Sequence, residues 1–286
     1  MTDRRTGLLF IAAAALLWST GGIGIKGITD SALKVTFYRS LFAALALLIL
    51  FGRKTWGVRR WRSTVAFVAA IICYAACLTT FVIATKWTTA ANAIFLQYAG
   101  VIWVMLLSPV VLREPMRPRD VIAIGVAIAG MALFFVGKFE ARGMAGNGMA
   151  LLSSIFFAGL VLALRREHEA AESAITWGNI FTAAALLPFV AHDLPLSTRS
   201  LGALLFLGFF QIAAAYVLFV RGLKHVTAMQ ASLTGMLEPV ANPVWVLLFL
   251  GERPSVYAIA GGLVVLAAIA WHTMKGEPAS EMPAPD

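Results

Sequence analysis

Lys86-Trp87-Thr88-Thr89-Ala90-Ala91-Asn92-Ala93 opens one apolar run of this chain, and Lys224-His225-Val226-Thr227-Ala228-Met229-Gln230-Ala231 opens another, 138 positions on. The same offset carries Glu114, which closes the first run, onto Glu252, which closes the second, without a gap. Identity is sparse: Lys86, Thr89, Ala90, Ala93, Leu112 and Glu114 recur, little more than two unrelated apolar helices would share. The common frame says more. It runs cation, Thr-Ala, a carboxamide residue (Asn92 or Gln230), an apolar stretch, then Leu-x-Glu. That frame reads as an internal duplication, and a duplicated membrane unit is the usual build of a transporter.

Composition sets the medium. The 286 residues are 60% hydrophobic and 13% charged, with a mean hydropathy of +0.84, against about 25% charged in soluble domains. Apolar runs of ~18 residues or more recur, each able to cross ~30 Å of hydrocarbon. Lipid offers bare backbone no hydrogen bonds, so such runs must be helices. The expected fold is an all-α integral membrane protein of ten transmembrane helices, arranged as two inverted five-helix repeats. A net charge of +9 would suggest nucleic acid in a soluble protein. Here the cations lie in short loops between apolar runs, so the bilayer is the expected partner and nucleic acid is not. Cys73 and Cys77 sit one turn apart on one run and read as small apolar fillers, since neighbours on one helix rarely meet disulfide geometry.

The ten spans are expected near 7–25, 33–51, 64–85, 89–112, 120–137, 147–164, 174–191, 200–220, 227–250 and 256–273. The first is too long for a signal peptide, lacks a clear small-residue cleavage site and is followed at once by another span. Residues 1–139 and 140–275 form the two repeats, and the polar tail 276–286 is expected to be disordered. Counting Lys and Arg places 15 on the side of both termini and 7 on the other, with Arg39 inside a span. Both termini are therefore expected in the cytoplasm, in a multi-pass protein of the bacterial inner membrane. Because five spans is an odd number, the second repeat starts on the opposite face. Inverted halves place a binding site near the midplane, between them.

Phe37-Tyr38-Arg39, the junctions Ala84-Thr85-Lys86 and Gly222-Leu223-Lys224, and above all Leu237-Glu238-Pro239-Val240-Ala241 through Leu250-Gly251-Glu252-Arg253 resemble the drug/metabolite transporter superfamily in its ten-helix EamA branch. The likeness covers almost the whole chain apart from the tail. Within the branch it is most similar to YddG-type exporters of aromatic and other neutral amino acids. The first repeat departs from the family ending, with Arg113-Glu114-Pro115 in place of Leu-Gly-Glu, a change in a loop that is expected to matter little. Small multidrug relatives couple to protons through a first-helix Glu, and no acid lies in the first span here. Phosphate-carrying relatives hold cations deep in the fourth and ninth spans, whereas Lys86, Lys224 and His225 stop at the mouths. A phosphorylated substrate is disfavoured.

Ionisable residues at membrane depth are costly and functional by default. Glu238 is the one acid deep in a span. It either meets a proton or a substrate ammonium, or satisfies backbone freed by Pro239, with Pro243 adding a kink. With no second in-span acid to pass protons on, transport is expected to run downhill. Arg39 lies within two turns of its span's start and can snorkel to the interface. Asn92 and Gln230 hold equivalent positions, Gln230 shares a face with Thr234, and Thr89 shares one with Asn92. These stripes suit either a cavity wall or interhelical hydrogen bonds, and Gln97 and Gln211 join them. Trp56, Trp61, Trp87 and Trp271 read as interface anchors. Trp18, Tyr74, Phe95, Tyr98, Trp103, Phe157 and Tyr216 lie deeper, where rings would stack an aromatic side chain or pack as core. Gly125 with Ala129, and Gly261 with Gly262, are spaced for close helix contact. His168, His192, His225 and His272 read as solvated.

The candidate substrate-binding set is Trp18, Tyr74, Asn92, Phe95, Gln97, Tyr98, Phe157, Gln211, Tyr216, Gln230, Thr234 and Glu238. No Walker, His-Glu-x-x-His or Gly-x-Ser-x-Gly motif and no His/Cys cluster is present, so neither an enzyme nor a cofactor or metal is expected. The sequence points to a carrier that exports neutral, preferably aromatic, amino acids by alternating access, with a monomer as the working unit. A carrier of another uncharged metabolite, such as a nucleoside, is the alternative.

Overall fold

The computed structural model describes residues 2–52, 63–133, 136, 143–250 and 255–274, and all that follows concerns these. They form helices and no strand: α1 Thr2–Trp18, α2 Gly21–Lys26, α3 Ala32–Phe51, α4 Thr64–Trp87, α5 Ala90–Gln97, α6 Gly100–Val111, α7 Pro118–Leu133, α8 Met144–Arg166, α9 Ala171–Val190, α10 Thr198–Phe206, a π-helical segment Leu207–Ala214, α11 Ala215–Leu223, α12 Ala228–Gly235, α13 Leu237–Leu250 and α14 Val256–Met274. Helix starts are chemically marked. Ser31, Ser63, Thr89, Ser197 and Thr227 each accept a bond from a backbone N–H inside the first turn, the standard way to satisfy otherwise orphaned donors.

Eight helical stretches are long and apolar enough to cross a membrane: Asp3–Lys26, Ala32–Phe51, Thr64–Trp87, Ala90–Val111, Met144–Arg166, Ala171–Val190, Thr198–Leu223 and Val256–Met274. The remaining two expected spans fall on α7 and on α12 with α13. The tail 276–286, the ninth span's ending at Gly251-Glu252-Arg253, and the loops carrying Arg59 and Lys138 lie outside the described residues.

Four of the expected helices are not continuous. The first breaks at Ser19–Thr20, the fourth at Tyr98–Ala99, the eighth passes through the π segment, and the ninth breaks at Met236. The ninth break corrects the expected kink. Pro239 falls in the first turn of α13, where a missing N–H costs nothing, and the chain is interrupted before it. The two half-helices α5 and α12 each span eight residues, with both ends and both Thr caps related by 138 positions.

Helix contacts follow the same offset. α4 packs on α8 and α1 on α11, and each pair becomes the other when moved 138 residues. α3 packs on α9, and α7 on α14. Glycine permits the close approach of α1 and α11: a Cβ on Gly222 would lie 2.7 Å from the carbonyl oxygen of Gly7. Between α7 and α14 the contact is made by Gly130, where a Cβ would meet Val264 at 2.9 Å and the carbonyl of Gly261 at 3.0 Å. Gly125 is exposed with nothing near it, so the expected contact lies five residues further on. Trp103, expected at depth, is 41% exposed and faces outward.

Candidate functional site

The interruptions converge. Trp18 precedes the first break, Gln97 the second, Gln211 sits in the π segment, and Glu238 follows the break at Met236. With Arg39, Cys77, Leu78, Phe81, Phe157, Ile212 and Tyr216 they line an internal cavity of about 30 Å³. That is room for water, and far less than the ~300–1,000 Å³ of a small-molecule pocket. A larger groove of about 190 Å³ runs between α13 and α14, but Val244, Ile259 and Leu263 make it an apolar feature of the exposed rim.

Arg39 is the residue that sequence reasoning misplaced. The expected snorkel to the interface does not occur: the side chain is 2% exposed and lines the cavity. One terminal nitrogen donates to Gln211 Oε1 at 2.6 Å, while Nε has no partner. Its helix α3 lies against the π segment, where a Cβ on Gly208 would be 2.5 Å from Phe42 Cβ and 3.1 Å from the Arg39 carbonyl. That close approach, not helix position, decides where the guanidinium points. Glu238 is likewise buried, and its Oε2 lies 2.8 Å from the Tyr98 hydroxyl oxygen, within hydrogen-bond distance. The same hydroxyl lies 2.6 Å from the carbonyl oxygen of Gly235, freed by the break, and its single hydrogen serves one of the two oxygens at a time.

Of the twelve candidates, Trp18, Gln97, Phe157, Gln211, Tyr216 and Glu238 line the cavity. Tyr98 stands directly behind Glu238. Tyr74 stands behind Tyr216, ring centroids 4.8 Å apart, and its hydroxyl accepts from Asn179 at 2.8 Å. Trp18 anchors the ring wall, 5.0 Å from Tyr216, 6.5 Å from Phe157 and 5.1 Å from Phe219. The others lie elsewhere. Asn92 donates to Thr88 near the start of α5, Gln230 completes a capping box with Thr227, Thr234 is buried in α12, and partly buried Phe95 packs against the apolar core. Cys77, expected only as a small apolar filler, also lines the cavity, as do Leu78, Phe81 and Ile212, which carry no signal in the sequence beyond apolarity.

Polar links close the bundle at both ends. At the end where α3 starts, Lys34 pairs with Asp30 at 2.8 Å and Asp193 at 3.1 Å, and Ser200 donates to Asp30 at 2.7 Å. Lys86 donates to the Ile28 carbonyl and Lys26 to that of Thr88 at 2.6 Å. At the opposite end, where α6 finishes, buried Glu114 pairs with Arg165 at 2.8 Å and accepts from the Ala228 amide at 3.0 Å. The loop residue expected to matter little is thus the hub of that end. His272, read as solvated, is 3% exposed, and its Nε2 lies 2.7 Å from Asp120 Oδ1.

Burial acts on Asp30 to raise its pKa, but hydrogen bonds from Lys34 and Ser200 and the Lys34 charge prevail, holding it below the ordinary 3.8. A carboxylate with a depressed folded pKa stabilises the protein above its unfolded value, and loses that contribution as pH falls through the folded one. The difference in thermal midpoint between the parent and Asp30→Asn should therefore be constant from pH 8 to pH 5. It should shrink only in stronger acid. A difference already closing at pH 6 would show that Asp30 is not held in this way.

Comparison with known proteins gives the family. A model described as the EamA-like transporter family matches residues 5–136 and again 144–274. An uncharacterised transporter of Bacillus subtilis, YwfM, is 30% identical over 278 residues, covering 91% of this chain and 93% of that protein. The pseudopaline exporter CntI of Pseudomonas aeruginosa is 27% identical over 282 residues, covering 95% and 98%. A crystal structure 17% identical covers 94% of this chain and 97% of its own, with a TM-score of 0.80, and so shares the fold. Helices able to cross a membrane, a cavity where they break that Arg39, Gln211 and Glu238 help to line, and a family match over both halves agree: the chain is a multi-pass membrane protein that belongs to the EamA-like transporter family.

Proposed function

We propose that the chain is an alternating-access carrier that exports neutral amino acids, aromatic ones preferred, down their own gradient. Its halves are read as inverted five-helix repeats rocking about the cavity, with both termini in the cytoplasm. One observation carries the reading: a cavity walled by rings and amides lies where four helices break, with polar links joining the chain across both ends. Discontinuous helices supply the binding groups of many carriers, and a cavity this small between two bridged ends suits a carrier closed on both sides. The matched half-helices α5 and α12 and the exchange of interfaces under one offset support the repeat. Trp18, Phe81, Phe157 and Tyr216 support the preference for an aromatic side chain. The exporter among the relatives supports the direction.

Counterflow in proteoliposomes with labelled phenylalanine, leucine and a nucleoside tests this, with and without a proton gradient. Phenylalanine is expected to exchange fastest and not to accumulate when protons flow. Exchange of the nucleoside alone, or of nothing, would overturn the substrate assignment; proton-driven accumulation would overturn the downhill mechanism.

A further inference from the structure

We propose that the cavity recognises its substrate as a dipole: Arg39, with Gln211, takes a carboxylate, and Glu238 takes an ammonium. The inference rests on the reading of this cavity as the substrate site, and adds which group meets which end. It begins with an imbalance. Arg39 is buried, bonded to Gln211 and left with Nε unmet, and no described carboxylate lies within ion-pairing reach. A guanidinium removed from water is stabilised well only by a partner of opposite charge with good geometry. The one acid on the same cavity wall is Glu238, and it bonds to Tyr98 instead. A buried guanidinium and a buried carboxyl group thus share one void without pairing with each other.

A molecule carrying both a carboxylate and an ammonium would answer both. An anion alone would satisfy Arg39 but meet Glu238 as a like charge; a cation alone would do the converse. The nucleoside alternative carries neither charge and would leave both unmet. Gln211 is placed to help. Its amide nitrogen makes only a long 3.4 Å bond to the Trp18 carbonyl, so it is a donor that can turn to a carboxylate. Space for it is kept by Gly21, where a Cβ would lie 2.6 Å from that nitrogen. The rings then face whatever side chain the head group bears.

Binding to the purified protein in detergent, followed by intrinsic tryptophan fluorescence, tests this without a transport step. The probes are phenylalanine, its methyl ester and phenylethylamine (cation only), and 3-phenylpropionate (anion only). The parent is expected to bind phenylalanine at least tenfold tighter than each of the others, because each lacks a partner for one buried charge. Arg39→Met should erase the preference over the ester and amine yet keep that over the acid, and Glu238→Gln should do the reverse. Arg39→Lys, which keeps the charge, should retain part of the first preference. All four probes binding the parent within threefold, or none binding, would overturn the proposal, and this readout stands even where a variant fails to fold. Preference unchanged in a folded Arg39→Met would overturn it too. Dipolar binding without liposome exchange would count against the carrier reading alone. Exchange of phenylalanine without such preference would count against this inference alone.

Discussion

Glu114→Gln is expected to lower the thermal midpoint of the purified protein by roughly 10 °C. Removing one member of a buried ion pair costs about 3–5 kcal/mol, and each kcal/mol moves the midpoint of a chain of this size by ~2–4 °C. Glu114 is 8% exposed and Arg165 5%. One carboxylate oxygen takes Arg165 Nε at 2.8 Å, and the other takes the Ala228 amide at 3.0 Å, at the positive end of α12. A glutamine keeps the shape but carries no charge, and its NH₂ cannot accept from an amide. Arg165, which also donates to the Leu223 carbonyl at 3.2 Å, would then be a buried cation that has lost the Glu114 charge. Arg165→Met added to Glu114→Gln should recover part of the loss, since it removes the buried cation that the first change deprives of a carboxylate. A single variant melting with the parent, or a double variant no better than the single, would show that the pair does not hold this end.

The second large effect is a complete and reversible arrest. Asp30→Cys with Ser200→Cys replaces two side chains that touch at 2.7 Å across the other end, one from the loop before α3 and one from α10. If the halves must separate there in every cycle, a covalent link across that contact stops the cycle, whereas the native hydrogen bond costs about 1 kcal/mol to open. Oxidation with copper phenanthroline is expected to abolish liposome exchange in the pair, and dithiothreitol to restore it. Each single variant should transport through both treatments, which controls for the native thiols Cys73 and Cys77. Exchange that continues at full rate in the fully cross-linked pair would remove this contact from the transport cycle.

Much of the fold was legible because membrane helices obey a severe rule: every apolar run must satisfy its own backbone. The eight described stretches able to cross a membrane follow from that rule, and Thr89 and Thr227, paired by the sequence frame, both cap helices. The breaks were not legible. A π segment over Leu207–Ala214 or an interruption at Met236 has no composition of its own, and is set by neighbours such as Gly208 against Phe42. The same limit explains the site. Glu238, Gln211 and Trp18 could be singled out as unusual residues at depth. Arg39 looked like an interface residue because its distance along the helix says nothing about which face its helix turns inward. Asn92 and Gln230 share a register position and polarity with a cavity wall, yet their place in the first turn commits them to the helix ends. Glu114 was hidden for the opposite reason, since a loop residue shows no periodicity to betray that it is buried.

The broken helices also bear on how tightly such a cavity can hold anything. The Gly235 and Trp18 carbonyls, released where α12 and α1 end, are occupied by Tyr98 and Gln211, two of the groups nearest the cavity. Either side chain can turn toward a guest only by giving up a backbone acceptor, so association is a trade of hydrogen bonds, with little net gain from each. Modest affinity and short residence are therefore expected of a guest in this cavity, and a carrier would be served by both: a grip strong enough to strand the cargo would slow every cycle.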